Sequence, residues 1–312
     1  MPKLYFKIFV FILAITLPSN INSAEYGKIK GGRAAKAGEF PFIGHITFQN
    51  EGIKVNVCGC SLVTTSKVVT AGHCVMKWVN GHREMLNIKT GMVYFGTLYL
   101  MSDDGQQSAV ESVKYPKEIR KKKLGGVMHD YATATLVTPL KITDTVQLMK
   151  VYSTDKTEFK HGWDEMVASE APCVIIGWGA TDFKIINKTT LVSSGVNKFL
   201  KTTVVHTWDE ERCARFAGPP QDNMLEFGEI CLLGVTHGET SLPGDSGGPL
   251  MCGDYVWAVC SSMFVDASGT KPFHYLLHWH YLNEYLYPMG SSGSTIRPEI
   301  SIPLFFITLF LR

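Results

Sequence analysis

A serine sits in Gly244-Asp245-Ser246-Gly247-Gly248-Pro249, where the glycines let the backbone fold tightly and turn its amides toward one point. A serine hydroxyl is a poor nucleophile until a base takes its proton, so this loop needs a histidine from elsewhere in the chain. Thr70-Ala71-Gly72-His73-Cys74 offers one, next to a cysteine that can be bridged and so hold the ring still. The imidazole in turn needs a carboxylate to fix its tautomer and stabilise its cation, and Asp130 in His129-Asp130-Tyr131-Ala132 is the natural candidate. Together Ser246, His73 and Asp130 could carry out nucleophilic attack on a carbonyl, with loop amides stabilising the oxyanion that forms.

Side chains this far apart in sequence need a folded core to meet. At 312 residues and 45% hydrophobic content the chain can build one large or two ordinary domains. Short β-branched runs alternate with Gly, Pro, Asn and Asp: Val55 to Val57, Leu62 to Thr64, Val68 to Thr70, Val174 to Ile176 and Trp257 to Val259. This is an all-β pattern of many short strands, without an internal repeat or a low-complexity linker. Only His278 to Leu286 reads as helical, with Tyr281, Leu282, Tyr285 and Leu286 on one face and Pro288 after it, to be packed against the β core. Arg120-Lys121-Lys122-Lys123, followed by Gly125-Gly126, reads as an exposed loop ahead of Asp130, either solvated or a patch that steers substrate. Asn187-Lys188-Thr189 is an N-glycosylation acceptor sequence.

Thirty Lys and Arg against 28 Asp and Glu leave no charge-based case for nucleic acid or an anionic membrane as the partner. The eight cysteines include no Cys-x-x-Cys pair and no histidine at metal-ligand spacing, which favours disulfides over a metal. No cofactor is called for. Residues 1–24 carry Lys3 and Lys7, an apolar run from Ile8 to Leu17, then Pro18 and small polar residues ending at Ala24, the pattern of a cleaved secretory signal. An oxidising destination suits the cysteines. After Pro288, Gly290-Ser291-Ser292-Gly293-Ser294 forms a polar spacer before the apolar Ile302 to Leu311. Roughly ten apolar residues cannot span a bilayer as a helix. Residues 288–312 are therefore either a glycosylphosphatidylinositol (GPI) attachment signal, with the site in Gly290 to Gly293, or a packed C-terminal extension.

Taken in order, Ile29-Lys30-Gly31-Gly32, Ala71-Gly72-His73-Cys74, Asp130-Tyr131-Ala132, Gly177-Trp178-Gly179 and Gly244 to Pro249 resemble the trypsin and chymotrypsin family of serine peptidases, from Ile29 to about Tyr287. The resemblance implies two six-stranded antiparallel β-barrels and a C-terminal helix, the first barrel at about 29–150 and the second at about 151–287. The triad would lie in the cleft between them, with the Gly244 and Ser246 amides as oxyanion hole and Ser261 bonding the buried Asp130. It also implies a precursor whose residues 25–28 are an activation peptide, cut at Lys28-Ile29 so that the new Ile29 ammonium pairs with Asp245. Burial beside a carboxylate would raise that amine's pKa from its ordinary value near 8, so activity would fall in alkali. Cys58 with Cys74, Cys173 with Cys252 and Cys213 with Cys231 match three family bridges. Cys60 and Cys260 are left over, as a fourth bridge or as two free buried thiols.

Departures from the family pattern gather around the primary substrate pocket. Leu242 replaces a cysteine, and that cysteine's usual partner is absent. Thr240, followed by Ser241, stands at the pocket floor in place of the aspartate that would hold a substrate Lys or Arg. Phe273 and Met263 fall where glycines usually line the slot, Ser262 replaces a tryptophan of the neighbouring subsites, and Pro243 restricts the backbone before Gly244. These residues, with Ser261, imply a pocket for small side chains such as Ala, Val or Ser, or one closed until something moves. The expected partners are a protein or peptide substrate, an activating trypsin-like protease and a protein inhibitor, with a membrane reached only through a lipid anchor. The rival expectation is a protease-shaped binding or regulatory protein that has lost turnover.

Overall fold

Apolar residues that recur at every second position put one face of a strand inside a barrel and the other outside. In the computed structural model, which describes residues 32–49, 55–122, 126–186, 190–209, 211–213, 227–235, 239–263 and 272–288, this pattern closes two barrels. Residues 1–24, the Lys28-Ile29 bond, Asn187 and the tail beyond Pro288 lie outside the described residues.

The first barrel is built from β1 (Ile43–Gln49), β2 (Val55–Thr64), β3 (Lys67–Thr70), β4 (Met92–Phe95), β5 (Gln106–Lys114) and β6 (Ala132–Leu136). Its antiparallel order is β6-β3-β2-β1-β4-β5, closed by pairing of β5 with β6. Ile46, Phe48, Leu62, Val68, Val93, Phe95, Val110 and Ala134 fill its interior. The second barrel uses β7 (Cys173–Gly177), β8 (Lys201–Thr207), β9 (Glu229–Gly234), β10 (Pro249–Cys252), β11 (Tyr255–Met263) and β12 (Phe273–Leu277). The order β8-β7-β10-β11-β12-β9 closes through β8 and β9, and a two-residue strand, Arg33–Ala34, joins the outer edge of β8. Two six-stranded antiparallel barrels are therefore the fold, as the family resemblance implies.

A helix that the sequence pattern does not announce connects the barrels: α1, Lys156–Ala168. The Asp155 carboxylate caps it by accepting from the Thr157 and Glu158 amides at 2.8 and 3.0 Å. Phe159 and Trp163, one turn apart, bury its inner face against Trp257 with ring centroids 5.0 and 5.6 Å away. The C-terminal segment begins with one tight turn at His278–His280 and continues as a wider helical turn over Leu282–Leu286. There the Leu286 and Tyr287 amides reach back five residues, to the carbonyls of Tyr281 and Leu282. Tyr281, Leu282, Tyr285 and Leu286 are all buried, and Tyr281 stacks on Tyr131 of the first barrel at 4.1 Å. Lys67 and Lys114 donate to the Leu286 and Glu284 carbonyls at 3.1 and 2.9 Å, so the end of the second half is strapped to the first barrel.

One expectation is corrected and one open alternative is decided. The basic run is not a solvated loop throughout: Arg120–Lys121 form an exposed two-residue strand with Val127–Met128, but Lys122 is buried. Disulfides join Cys58 to Cys74, Cys173 to Cys252 and Cys213 to Cys231, whereas Cys60 and Cys260 are free and buried. The reason is topological. Cys60 lies in the core of the first barrel and Cys260 in that of the second. The segment Ser246 to Gly248 runs between their strands, bonded to β2 through Gly59 and to β11 through Cys260 itself.

Candidate active site

His73 follows β3 in the single helical turn Gly72–Cys74, and the Cys58–Cys74 bridge ties that turn back to β2. Asp130 precedes β6 and has no exposed surface. Three donors meet its carboxylate: Oδ1 accepts from the His73 backbone N–H at 2.7 Å, while Oδ2 accepts from His73 Nδ1 at 2.7 Å and from Ser261 Oγ at 2.8 Å. A buried carboxylate is costly unless it is paired and bonded in this way. Because Oδ2 can only accept, Nδ1 carries the proton and Nε2 is left as the free lone pair. Desolvation pulls the His73 pKa down, but the charge of Asp130 and its hydrogen bond outweigh it, and the ring's pKa lies above the ordinary 6.5.

Ser246 reaches the same region through backbone packing. The Gly59 amide donates to the Ser246 carbonyl at 2.7 Å, and the Gly247 amide to the Cys260 carbonyl at 2.8 Å, so this loop is wedged between a strand of each barrel. Gly247 has φ +75°, and a Cβ there would overlap Thr70 Oγ1 and the Gly59 carbonyl, so only glycine lets the serine segment lie against the His73 turn. Gly244 is also left-handed, at φ +105°. The Asp245 amide is engaged by the Leu242 carbonyl at 2.9 Å, while the amides on either side of it, from Gly244 and Ser246, donate to none of the described residues. The Ser246 hydroxyl is not hydrogen-bonded to His73 in this state. Contacts of this kind commonly tighten only around a reacting ligand.

The Asp245 side chain turns away from Ser246 into the second barrel. Its Oδ1 accepts from Gly179 N at 2.7 Å and its Oδ2 from Leu242 N at 2.9 Å. Burial pushes its pKa up to about 6, against the pull of these two bonds and of the Lys201 charge. Ile29 lies outside the described residues, so the carboxylate is seen with its amide partners alone.

The family model described as Trypsin matches residues 29–283. The chain belongs to the trypsin family. Its relatives include a chymotrypsin-like serine proteinase of Haliotis rufescens, 24% identical over 277 residues that cover 85% of this chain and 92% of that protein. Duodenase-1 of Bos taurus is 26% identical over 270 residues, 85% of this chain and 89% of its own. A proclotting enzyme of Tachypleus tridentatus is 27% identical over 236 residues, 74% of this chain but only 56% of its own length. Among solved structures, human heparin binding protein superposes with a TM-score of 0.56 at 19% identity, covering 82% of this chain and 94% of that one. A scabies mite inactivated protease paralogue superposes with a TM-score of 0.59 at 18% identity, covering 81% and 94%. At such identities the structural likeness is one of fold.

Within this trypsin-family chain the residues expected to line the substrate pocket fall on the segment ahead of Ser246, on β11 and on β12. Thr240 and Ser241 are buried just ahead of the serine loop, with Thr240 Oγ1 donating to the Ser241 carbonyl at 3.3 Å and Ser241 Oγ finding no partner among the described residues. Phe273 is fully buried at the start of β12, paired in register with Leu232 and Met263 and with its ring 6.1 Å from that of Tyr275. Of Met263 only the backbone is described. The only grouping of metal-type donors among the described residues, Cys58, His73 and Cys74, has both sulfurs committed to a disulfide. Two buried charged residues that no motif singles out, Lys122 and Glu229, meet across the barrels at 2.5 Å. Glu229 carries a signal in Gly228-Glu229-Ile230-Cys231-Leu232, a lone charge at the head of an apolar run.

Proposed function

We propose that this protein is a serine endopeptidase, exported as a zymogen and activated by cleavage at Lys28-Ile29, that hydrolyses peptide bonds after small residues through an acyl-enzyme. One observation carries the reading: a fully buried carboxylate binds His73 through Nδ1 and so leaves Nε2 as the basic atom, while the Gly244 and Ser246 amides of the serine loop donate to none of the described residues. In the working cycle His73 Nε2 takes the proton from Ser246 Oγ as the oxygen attacks the substrate carbonyl, and Asp130 stabilises the imidazolium that results. The Gly244 and Ser246 amides then receive the oxyanion, a contribution worth roughly two to three decades of rate per donor in related sites. His73 passes its proton to the departing amine. Water repeats the sequence in reverse to release the acid.

Activation follows from Asp245, which lies one residue from the nucleophile and carries a charge that burial disfavours. An ammonium created at Ile29 and paired with it would hold the Gly244 to Ser246 turn in the receiving conformation. The relative from Tachypleus tridentatus bears a precursor's name, which supports a zymogen here. Thr240 at the pocket floor and the bulk of Phe273 support a small residue before the scissile bond. The substrate is then a protein outside the cell, with a trypsin-like protease as activator and a protein inhibitor as a further partner. Asn187 would carry the glycan, and the tail after Pro288 would hold the product at the cell surface if it is exchanged for a lipid. Among the described residues no helix is long and apolar enough to cross a membrane.

The test is labelling of Ser246 by a fluorophosphonate probe after cleavage at Lys28-Ile29, with Ser246→Ala as control. Labelling that appears only on cleavage is the expected result. Correctly cleaved protein that never labels would leave a binding or regulatory role in place of hydrolysis.

A further inference from the structure

Lys122 belongs to the first-barrel loop that leads to Asp130, and Glu229 opens β9 of the second barrel. Their side chains are 5% and 1% exposed, and Nζ lies 2.5 Å from Oε2, so the ion pair spans the two barrels out of contact with water. It does so beside Ser262, one residue after the serine that bonds Asp130. A Cβ placed on Gly126 would stand 3.4 Å from Ser262 Oγ and 3.8 Å from Lys122 Cδ, so the lysine stem, Gly126 and Ser262 form one cluster. Past Cys260, whose backbone bonds Gly247 and Gly248, β11 pairs with β12 on one side only, and no strand among the described residues takes its other edge. Among the described residues that edge opens at Ser261, which bonds Asp130, and Gly126 of the Lys122 loop stands next to its Ser262.

Resting on the peptidase reading above, we propose that Lys122, held in place by Glu229, is a specificity-determining plug. It fills the space beside Ser262 that would otherwise take a substrate side chain away from the scissile bond. The ammonium is already matched by a carboxylate, with His274 Nδ1 3.9 Å from the same oxygen, so the plug acts by shape and not by attracting acidic peptides. The substrate class it selects is extended peptide with a small side chain at that position. A buried ion pair is a poor source of stability compared with an apolar pair of the same volume, and its better-attested use is to fix one arrangement.

The experiment compares two variants of equal charge. Lys122→Met with Glu229→Gln removes the ion pair and keeps the volume, whereas Lys122→Ala with Glu229→Gln removes both. Each is cleaved at Lys28-Ile29 and given a peptide library randomised at four positions on either side of the scissile bond. The Ala variant should accept Leu, Phe and Tyr about tenfold better at one position remote from the bond, about the size of gain a newly opened apolar subsite gives. The Met variant should keep the wild-type selection, and fluorophosphonate labelling should match the parent in both, since neither Lys122 nor Glu229 belongs to the His73, Asp130 and Ser246 set or to the Gly244 and Ser246 amides. If the two variants select alike, the plug is overturned. If the parent itself does not label, the peptidase reading fails instead. The plug is then tested without turnover, by anisotropy of dye-labelled Ala-containing and Phe-containing tetrapeptides on Ser246→Ala protein with and without the Lys122→Ala, Glu229→Gln pair, and equal binding of the two peptides to both proteins overturns it.

Discussion

Asp130→Asn would leave the shape of the buried side chain intact while changing what its two ends can accept. In the native site one oxygen takes the His73 backbone N–H, and the other takes His73 Nδ1–H and Ser261 Oγ–H. An amide supplies one acceptor oxygen and one NH2 group. With the NH2 turned toward the His73 backbone, two donors would face each other in a site without water, at about 1–3 kcal/mol for the unsatisfied group. With the oxygen there instead, the imidazole can move its proton and Ser261 can rotate its hydroxyl, which a backbone amide cannot do. The second orientation therefore wins, and it places the imidazole proton on Nε2, the atom that must accept from Ser246. Peptide hydrolysis by the cleaved protein should slow roughly 10⁴-fold, about 5 kcal/mol of transition-state stabilisation, as for the same change in a related triad. With the charge gone only desolvation acts on the ring, so the His73 pKa should fall from above 6.5 to below it in an NMR titration. Initial rates on a fluorogenic peptide pool and the rate of fluorophosphonate labelling measure the loss. A decline of less than about tenfold, with the pKa unmoved, would refute the assignment of Asp130 as the group that orients the base.

Three further outcomes are expected. Because the His73 pKa is raised, hydrolysis should increase with pH through the window above 6.5 as Nε2 loses its proton, while the stability contributed by the His73–Asp130 pair, full below 6.5, is lost through the same window; paired rate and melting profiles would show both. Asp245, pushed up to about 6 from an ordinary 3.8, should make the uncut chain less stable as pH rises between those values, by about 3 kcal/mol. Cleavage at Lys28-Ile29 should recover much of that loss above pH 6, and a calorimetric melting point unchanged by cleavage at neutral pH would count against the Ile29–Asp245 pairing. Trp163→Ala should cost about 3–5 kcal/mol in urea unfolding, because it empties the space between α1 and Trp257, and a loss under 1 kcal/mol would mean that the helix is not held by that face.

The candidate site was readable from sequence because each of its residues lies in a short segment whose own backbone demands are visible, such as the glycines around Ser246 or the bridged cysteine after His73. The barrels were readable for a similar reason, since β-branched residues and turn residues alternate along the chain. Helix α1 is faint in the sequence because Gly162 and the polar residues around it dilute a packed face made by Phe159, Trp163, Met166 and Val167. Its start was nevertheless marked, by Asp155 with Glu158 three residues on, the spacing of a capping box. Lys122 could not be told from Arg120 or Lys121 by any local rule, because what buries it is an acid 107 residues later in the chain. The state of Cys60 and Cys260 likewise depends on a third segment passing between them, which spacing does not record.

The strap formed by the C-terminal segment decides where a mechanical load would be felt. Its carbonyls are gripped by Lys67 and Lys114, and its Tyr281 lies flat on Tyr131, the residue after Asp130. A pull on the chain beyond Pro288 would therefore be carried by the opposite barrel, with the neighbour of the buried Asp130 carboxylate as its bearing surface. Tension from that end would reach the Asp130–His73 pair before it reached Ser246.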